Sequence, residues 1–245
     1  TMLVLSMGAL LLAGTLSAQT PVPEWQAGVD KVKTLIQSNP AQASEEAGEL
    51  LKGKNKKNVD LVTSVAHVYL DAGKITEAQE YLAMAKKANN KDPKVSVLEG
   101  DIALAQKNIG QACQLYEQAI YFDPNCKEAY LKYAQAYKSA SPTQAIEKLE
   151  QLKAVDPNCL EADRELAEVY YSGNRFGKAA EMYAKFIDTP LATEDDMLKY
   201  AFALFLNHDF EKSLQVAQKG LQKNARHAAF NRLVMYNNTD LKRYE

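Results

Sequence analysis

A four-residue string that recurs at a fixed distance constrains the fold of this chain more than any other feature. Asp-Pro-Asn-Cys occupies residues 123–126 and again residues 156–159, a spacing of 33 residues. Apolar residues and the proline match between the two copies: Ala112, Tyr116, Ala119 and Pro124 in the first, Ala145, Leu149, Leu152 and Pro157 in the second. Self-similarity at a period of roughly 20 to 50 residues is typical of repeat arrays. We therefore expect stacked copies of one small unit.

The residues within each unit favour helices. Ala, Leu, Glu, Lys and Gln dominate after Pro23, and β-branched runs are few. The same spacing extends to earlier and later copies, which are marked by Ala66, Tyr69, Gly73, Ala78, Leu82 and Ala85, by Ala167, Tyr170, Ala179, Tyr183 and Phe186, and more weakly by Ala201, Leu204, Ser213, Ala217 and Gly220. Pro124 and Pro157 cannot continue a helix, so each is expected to separate one unit from the next.

This pattern resembles the tetratricopeptide repeat (TPR), a helix-turn-helix unit of about 34 residues. The resemblance implies an all-α fold, a right-handed α-solenoid of stacked antiparallel helix pairs. We expect a degenerate helical cap at 19–58 and an array at 59–245. Its repeats are expected at about 59–92, 93–126, 127–159, 160–193 and 194–225, with a partial unit at 226–245. Small residues at Gly100, Ala134, Ala167 and Ala201 would let the two helices of a repeat approach closely.

The N-terminal segment is typical of a secretory signal peptide. Residues 2–13 are an apolar stretch followed by small and polar residues, which predicts a signal at 1–18 with cleavage after Ala18. The stretch is shorter than the roughly 20 residues needed to span a bilayer. We expect an exported, soluble protein of the Gram-negative periplasm, and an uncleaved N-terminal anchor is the alternative.

Charge and motifs argue against several classes of function. The chain has 29 Lys and Arg against 31 Asp and Glu, so it lacks the basic field that nucleic-acid binding requires. Residues 48–55 resemble a phosphate-binding loop, but Asn55 stands where Ser or Thr must hold the metal. The three histidines are dispersed without a metal-ligand spacing. We expect no catalytic, cofactor or metal residues, and no small-molecule substrate.

Two further motifs are interpreted as structural or accidental. Cys126 and Cys159 hold equivalent places in adjacent repeats, at least one packing layer of about 8–10 Å apart, so a disulfide between them is not expected. Cys113 is expected to be a small buried apolar residue. The sequon that begins at Asn237 is taken as chance.

The resemblance also implies a binding surface, because first-helix residues line the inner groove of such arrays. The expected groove residues are Asp101, Gln135, Lys138, Arg164, Glu168, Tyr171, Leu198, Phe202, Phe205 and Phe230. The groove would be polar in the middle repeats and apolar toward the C-terminal end. The sequence lacks the Lys and Asn pairing with which family members clamp a C-terminal carboxylate. The apolar residues could instead be covered by a following repeat or belong to the core.

These observations predict a non-catalytic scaffold that binds a protein or peptide segment in its groove. Two alternatives stay open. The repeats could be the docking or regulatory region of a larger enzyme that continues past the C-terminus, or they could serve as an assembly factor of the cell envelope or outer membrane.

Overall fold

The computed structural model describes residues 22–242, and all regular structure in that range is helical. The predicted signal peptide at 1–18 lies outside the described residues. The helices are α1 (Gln26–Ser38), α2 (Pro40–Leu50), a 3₁₀ helix (Gly53–Lys57), α3 (Val59–Asp71), α4 (Ile75–Asn89), α5 (Pro93–Ala105), α6 (Ile109–Phe122), α7 (Lys127–Tyr137), α8 (Pro142–Val155), α9 (Leu160–Ser172), α10 (Phe176–Phe186), α11 (Glu194–Leu206), α12 (Phe210–Lys223) and α13 (Ala228–Asp240).

Four helix pairs have the same backbone conformation in the turn between their two helices. Gly73, Lys107, Asn174 and His208 each have a positive φ, between 57° and 74°. The next residue in each turn donates its N–H to a carbonyl five positions earlier, as Lys74 does to Tyr69. This arrangement ends the first helix and reverses the chain, so the two helices of a pair pack against each other. The predicted all-α solenoid of helix pairs is confirmed.

The residues that cap the first helices set the register of the array. They are Asn58, Asp92, Cys126, Cys159, Thr193 and His227. Successive caps are 34, 34, 33, 34 and 34 residues apart. The first helices after these caps start at residues 59, 93, 127, 160, 194 and 228.

The core is built from small residues facing large ones. A Cβ placed on Gly100 would lie 2.5 Å from the Tyr116 ring, so only glycine lets α5 pack on α6 this closely. Ala134, Ala167 and Ala201 are buried at the corresponding positions of α7, α9 and α11. Close packing of this kind is sensitive to even one added methyl group.

The first helices form one layer of the array. Helices α1, α3, α5 and α7 contact one another in series, α7 contacts α9, and α11 contacts α13. The resemblance to the tetratricopeptide repeat implies that this layer lines the inner groove, and it is called the concave face below. Between residues 22 and 242 no helix is both long and apolar enough to cross a membrane.

The cysteines and the sequon have structural positions. All three cysteines are free; Cys113 and Cys159 are buried, and Cys126 is half-buried. Asn237 is fully buried in α13, where its Nδ2 donates to Ser213 Oγ at 2.9 Å and to the Leu233 carbonyl at 2.8 Å. The sequon is therefore inaccessible in the folded chain.

Candidate functional site

The concave face carries one residue at the same place in each first helix from α3 to α13, nine positions after its cap. From the N-terminal to the C-terminal end these residues are His67, Asp101, Gln135, Glu168, Phe202 and Tyr236. The series changes from charged and polar to aromatic. It thus combines two chemically different halves on one continuous face.

A half-buried ionic cluster occupies the first half. Asp101 Oδ2 accepts from His67 Nε2 at 2.9 Å and lies 2.9 Å from Lys132 Nζ. Its Oδ1 accepts from the Tyr116 hydroxyl at 2.8 Å. The cluster joins α3, α5, α6 and α7 through a single carboxylate, so it links three successive repeats.

His67 is held as a cation by its surroundings. Its Nδ1 lies 2.9 Å from the Thr63 carbonyl oxygen, so both ring nitrogens face groups that can only accept. Only the doubly protonated imidazolium can donate to both. Burial opposes the charge, but the hydrogen bond and attraction to Asp101 outweigh it and raise the pKa of His67 above 6.5. Burial likewise opposes the charge of Asp101, yet its bond with His67 and the attraction of Lys132 lower its pKa.

The predicted polar groove residues are mostly bound to the neighbouring repeat. Arg164 forms a two-pronged ion pair with the carboxylate of Asp196, with both distances 3.0 Å. Glu168 accepts from the Tyr183 hydroxyl at 2.8 Å and from Lys199 at 2.9 Å. These contacts hold α9 to α10 and α11, so both residues stabilise the array as well as shaping the face.

Gln135 and Lys138 of the middle repeat are less engaged. Gln135 is exposed and donates to Glu165 Oε1 at 2.8 Å. Lys138 is half-buried at the end of α7 and forms no ion pair within residues 22–242. The middle of the face can therefore offer both side chains to a partner.

Aromatic side chains form the second half of the face. Leu198, Phe202 and Phe205 are half-buried and pack against the core of the last helices. Tyr236 is 43% exposed, with its ring centroid 6.2 Å from that of Phe205. Tyr171 packs edge-on against Phe176. In the last helices, partly exposed aromatic rings therefore pack on buried apolar residues.

The prediction that Phe230 lines the groove is wrong. Phe230 is fully buried and its ring fills the space left by Gly220, where a Cβ would lie 2.5 Å from the ring. It stands three positions after its cap, His227, as the buried Ala129 and Ala162 do after theirs. With the cap at 227, the groove position falls on Arg232.

A cavity at the N-terminal end of the concave face escaped the sequence analysis. It has a volume of about 330 Å³, and its lining includes Pro23, Trp25, Thr63, His67, Lys94 and Glu128. Lys94 is ion-paired with Asp60, which also lines it. Trp25 is the only tryptophan of the chain and precedes α1. A single large aromatic residue just before the first helix was the available signal.

The sequence motif at 48–55 does not form a phosphate-binding loop. It spans the end of α2 and most of the 3₁₀ helix, and no strand precedes it among the described residues. Gly53 has φ 61°, as a helix-ending glycine does. Within residues 22–242 no group of three His, Cys, Asp or Glu side chains is arranged to hold a metal ion.

A comparison with family models matches the tetratricopeptide repeat over residues 66–126 and 135–192. No curated protein sequence matches the chain.

Solved structures with the same fold are numerous. PilW, a widely conserved type IV pilus biogenesis factor, aligns with a TM-score of 0.65 at 16% identity over 86% of this chain and 97% of PilW. PilF of Pseudomonas aeruginosa aligns with a TM-score of 0.62 at 16% identity over 84% and 95% of the two chains. YrrB, a TPR protein with an unusual peptide-binding site, gives 0.55 at 13% identity over 76% and 96%. At these identities the likeness establishes the fold.

Proposed function

Because this chain belongs to the tetratricopeptide repeat family, we propose that it is a non-catalytic scaffold that binds a segment of a protein partner along its concave face. The observation that carries the proposal is the 330 Å³ cavity at the N-terminal end of that face. Pro23, Trp25 and Val97 supply apolar surface there, and the other six lining residues, which include Thr63 and Ser64, are polar or charged. A recess that offers both kinds of surface can hold a side chain of a peptide and hydrogen-bond its polar groups.

The length of the face favours an extended or helical segment. Polar side chains such as Gln135 lie midway, and Phe205 and Tyr236 lie at the far end. Large aromatic side chains are the residues most often responsible for binding energy at interfaces. A segment that contacts the cavity and the aromatic rings would be held at two points on a rigid support.

The chemistry of the face supports a binding role. In its protonated form, which its two acceptor partners favour, His67 donates from both ring nitrogens and has no lone pair with which to accept a proton. The carboxylate of Asp101 is occupied by three donors. A general base needs a free acceptor, and neither residue offers one.

The proposal is tested with a partner recovered on the immobilised mature chain. Replacing Tyr171 and Phe205 with Ala, and separately Trp25 with Ala, should each lower its retention severalfold. Leu206→Ala is the control, since Leu206 is 44% exposed beside Phe205 and lies outside the predicted groove set. Unchanged retention by both groove variants would contradict binding on the concave face.

We also propose export to the periplasm. The apolar stretch at 2–13, followed by small and polar residues, supports it. Fusing residues 1–30 to a reporter that is active only outside the cytoplasm tests this, with activity as the expected result. A reporter that stays inactive would contradict export.

An assembly role in the cell envelope is a second candidate. The observation that favours it is the same apolar stretch together with the fold shared with PilW, which is described as a pilus biogenesis factor. Crosslinking in intact cells separates the two roles, because envelope proteins as the main neighbours would favour assembly over a soluble adaptor.

A further inference from the structure

The connection between α2 and α3 differs from the other connections between helix pairs. It contains the 3₁₀ helix Gly53–Lys57, which contacts both α3 and α4. Asn55 Nδ2 donates to the Leu50 carbonyl at 2.9 Å and fixes this segment to the end of α2. The connection leaves a cavity of about 380 Å³ between the 3₁₀ helix and α4.

The lining of this cavity combines apolar surface with positive charge. Ala83, Met84 and Ala88 of α4 supply the apolar surface. Three exposed lysines also line it, Lys56 and Lys57 from the 3₁₀ helix and Lys87 from α4. Glu80 is the one acidic residue of the lining. The three lysines and the one glutamate together give the cavity a net charge of +2.

These lysines differ from Lys94, Lys132 and Lys199 of the concave face, each of which forms an ion pair with a carboxylate. Within residues 22–242, Lys56, Lys57 and Lys87 form none. Clustered like charges attract an oppositely charged ligand, and the attraction is strongest in a recess. The excess is local, because the whole chain has a net charge of −2.

We propose that this cavity binds an acidic segment of a protein partner in which an aliphatic residue lies next to Asp or Glu. The lysines would pair with the carboxylates, and Met84, whose flexible thioether adapts to varied shapes, would contact the aliphatic side chain. The recess and its apolar lining favour a peptide side chain over a flat lipid surface. No residue lines both this cavity and the concave one, so the two sites are independent.

The experiment uses the full chain and a fluorescein-labelled synthetic peptide of alternating Asp and Leu. Peptides of alternating Ser and Leu and of alternating Asp and Ser are the probe controls, and both should bind at least several times more weakly. Lys56→Glu combined with Lys57→Glu should weaken binding of the Asp-Leu peptide about tenfold or more. Met84→Gln should weaken it without changing its salt dependence.

A matched variant separates this site from a general charge effect. Lys107→Glu combined with Lys223→Glu makes the same charge change at two exposed lysines that form no ion pair among the described residues, and it should change the affinity less than twofold. Equal losses in both double variants, or no binding of the Asp-Leu peptide, would overturn the proposal. Binding to phosphatidylglycerol vesicles that the Lys56 and Lys57 changes abolish, without binding of the peptide, would overturn it in favour of a membrane surface.

Discussion

The imidazole of His67 and the carboxylate of Asp101 tie two successive repeats together, with Nε2 of His67 2.9 Å from Oδ2 of Asp101 across 34 residues of sequence. Lys132 reaches the same carboxylate from the next repeat, and Glu128 lies 3.7 Å from Lys132. The charge balance of the concave face at this point therefore depends on one proton on His67.

This dependence predicts how stability varies with pH. The folded-state pKa of His67 is raised above 6.5, so its contribution is fully present below pH 6.5 and is lost as pH rises through the folded-state value. His67→Gln should remove that decline and lower the free energy of unfolding by about 1–2 kcal/mol in acidic buffer. Urea unfolding at a series of pH values measures both.

His208→Asn is the control for this prediction. His208 is exposed and has φ 64°, a conformation that Asn tolerates, so the variant should keep the pH dependence of the parent. An unaltered pH dependence in His67→Gln would show that the pair does not set it.

Replacing glycine with alanine should have opposite effects on stability at Gly100, which contacts Tyr116, and at Gly48, which does not. Gly100→Ala places a methyl group 2.5 Å from the Tyr116 ring, and should lower stability by about 1–3 kcal/mol. Gly48→Ala in α2 meets no atom within 4 Å and should raise stability by about 0.5–1 kcal/mol, because alanine favours the helix. Thermal unfolding of the two variants tests the pair. Similar unfolding temperatures for the two variants would contradict the packing described for Gly100.

The ion pair of Arg164 and Asp196 predicts an asymmetric response. Asp196 is 1% exposed, pairs with Arg164 and completes the capping box of α11, where its carboxylate accepts from the Thr193 amide at 2.8 Å. Asp196→Ala removes the ion pair and the Asp196 half of the capping box, and should cost about 3 kcal/mol or more. Arg164→Ala should cost less, since Asp196 keeps its bonds to Thr193. Chemical unfolding of both variants checks the order, and a larger loss for Arg164→Ala would refute it.

The buried bond between Asn237 and Ser213 predicts a local effect at the C-terminal end. Ser213 Oγ donates in turn to the Ala201 carbonyl at 2.8 Å, so the bonds connect α13, α12 and α11. Asn237→Ala should cost about 1–3 kcal/mol and speed amide hydrogen exchange in α13 and α12 far more than in α3 to α8. A uniform rise in the exchange rate along the chain would contradict the expectation that each repeat is stabilised mainly by the repeats next to it.

The helix pairs and most of the core could be predicted because small and large residues recur at fixed spacing. Tyr116, Leu149 and Leu152 are buried where the repeat pattern indicates. Phe230 was misassigned because the last boundary was set two residues early, and only the cap at His227 reveals the register. Trp25 could not be placed, since no repeat pattern states where the chain before the first helix lies.

The spacing of the repeats locates the polar residues of the groove, but it does not identify their ion-pair partners. Sequence indicates that Arg164 and Glu168 lie on the first-helix face, and only three-dimensional geometry shows that Asp196 and Lys199 bind them. The charge pairs cross from one repeat to the next, at separations of 31 and 32 residues. Several other side chains lie at comparable distances along the sequence, so spacing alone does not select the partner.

The most direct test of partner binding on the concave face is site-specific photocrosslinking in living cells. A photoreactive phenylalanine analogue at Gln135, on that face, is compared with the same residue at Gln151, which is also exposed but lies on α8 in the second-helix layer. Binding on the concave face predicts a discrete crosslinked partner from position 135 and none from position 151. A partner crosslinked from position 151 alone would contradict it.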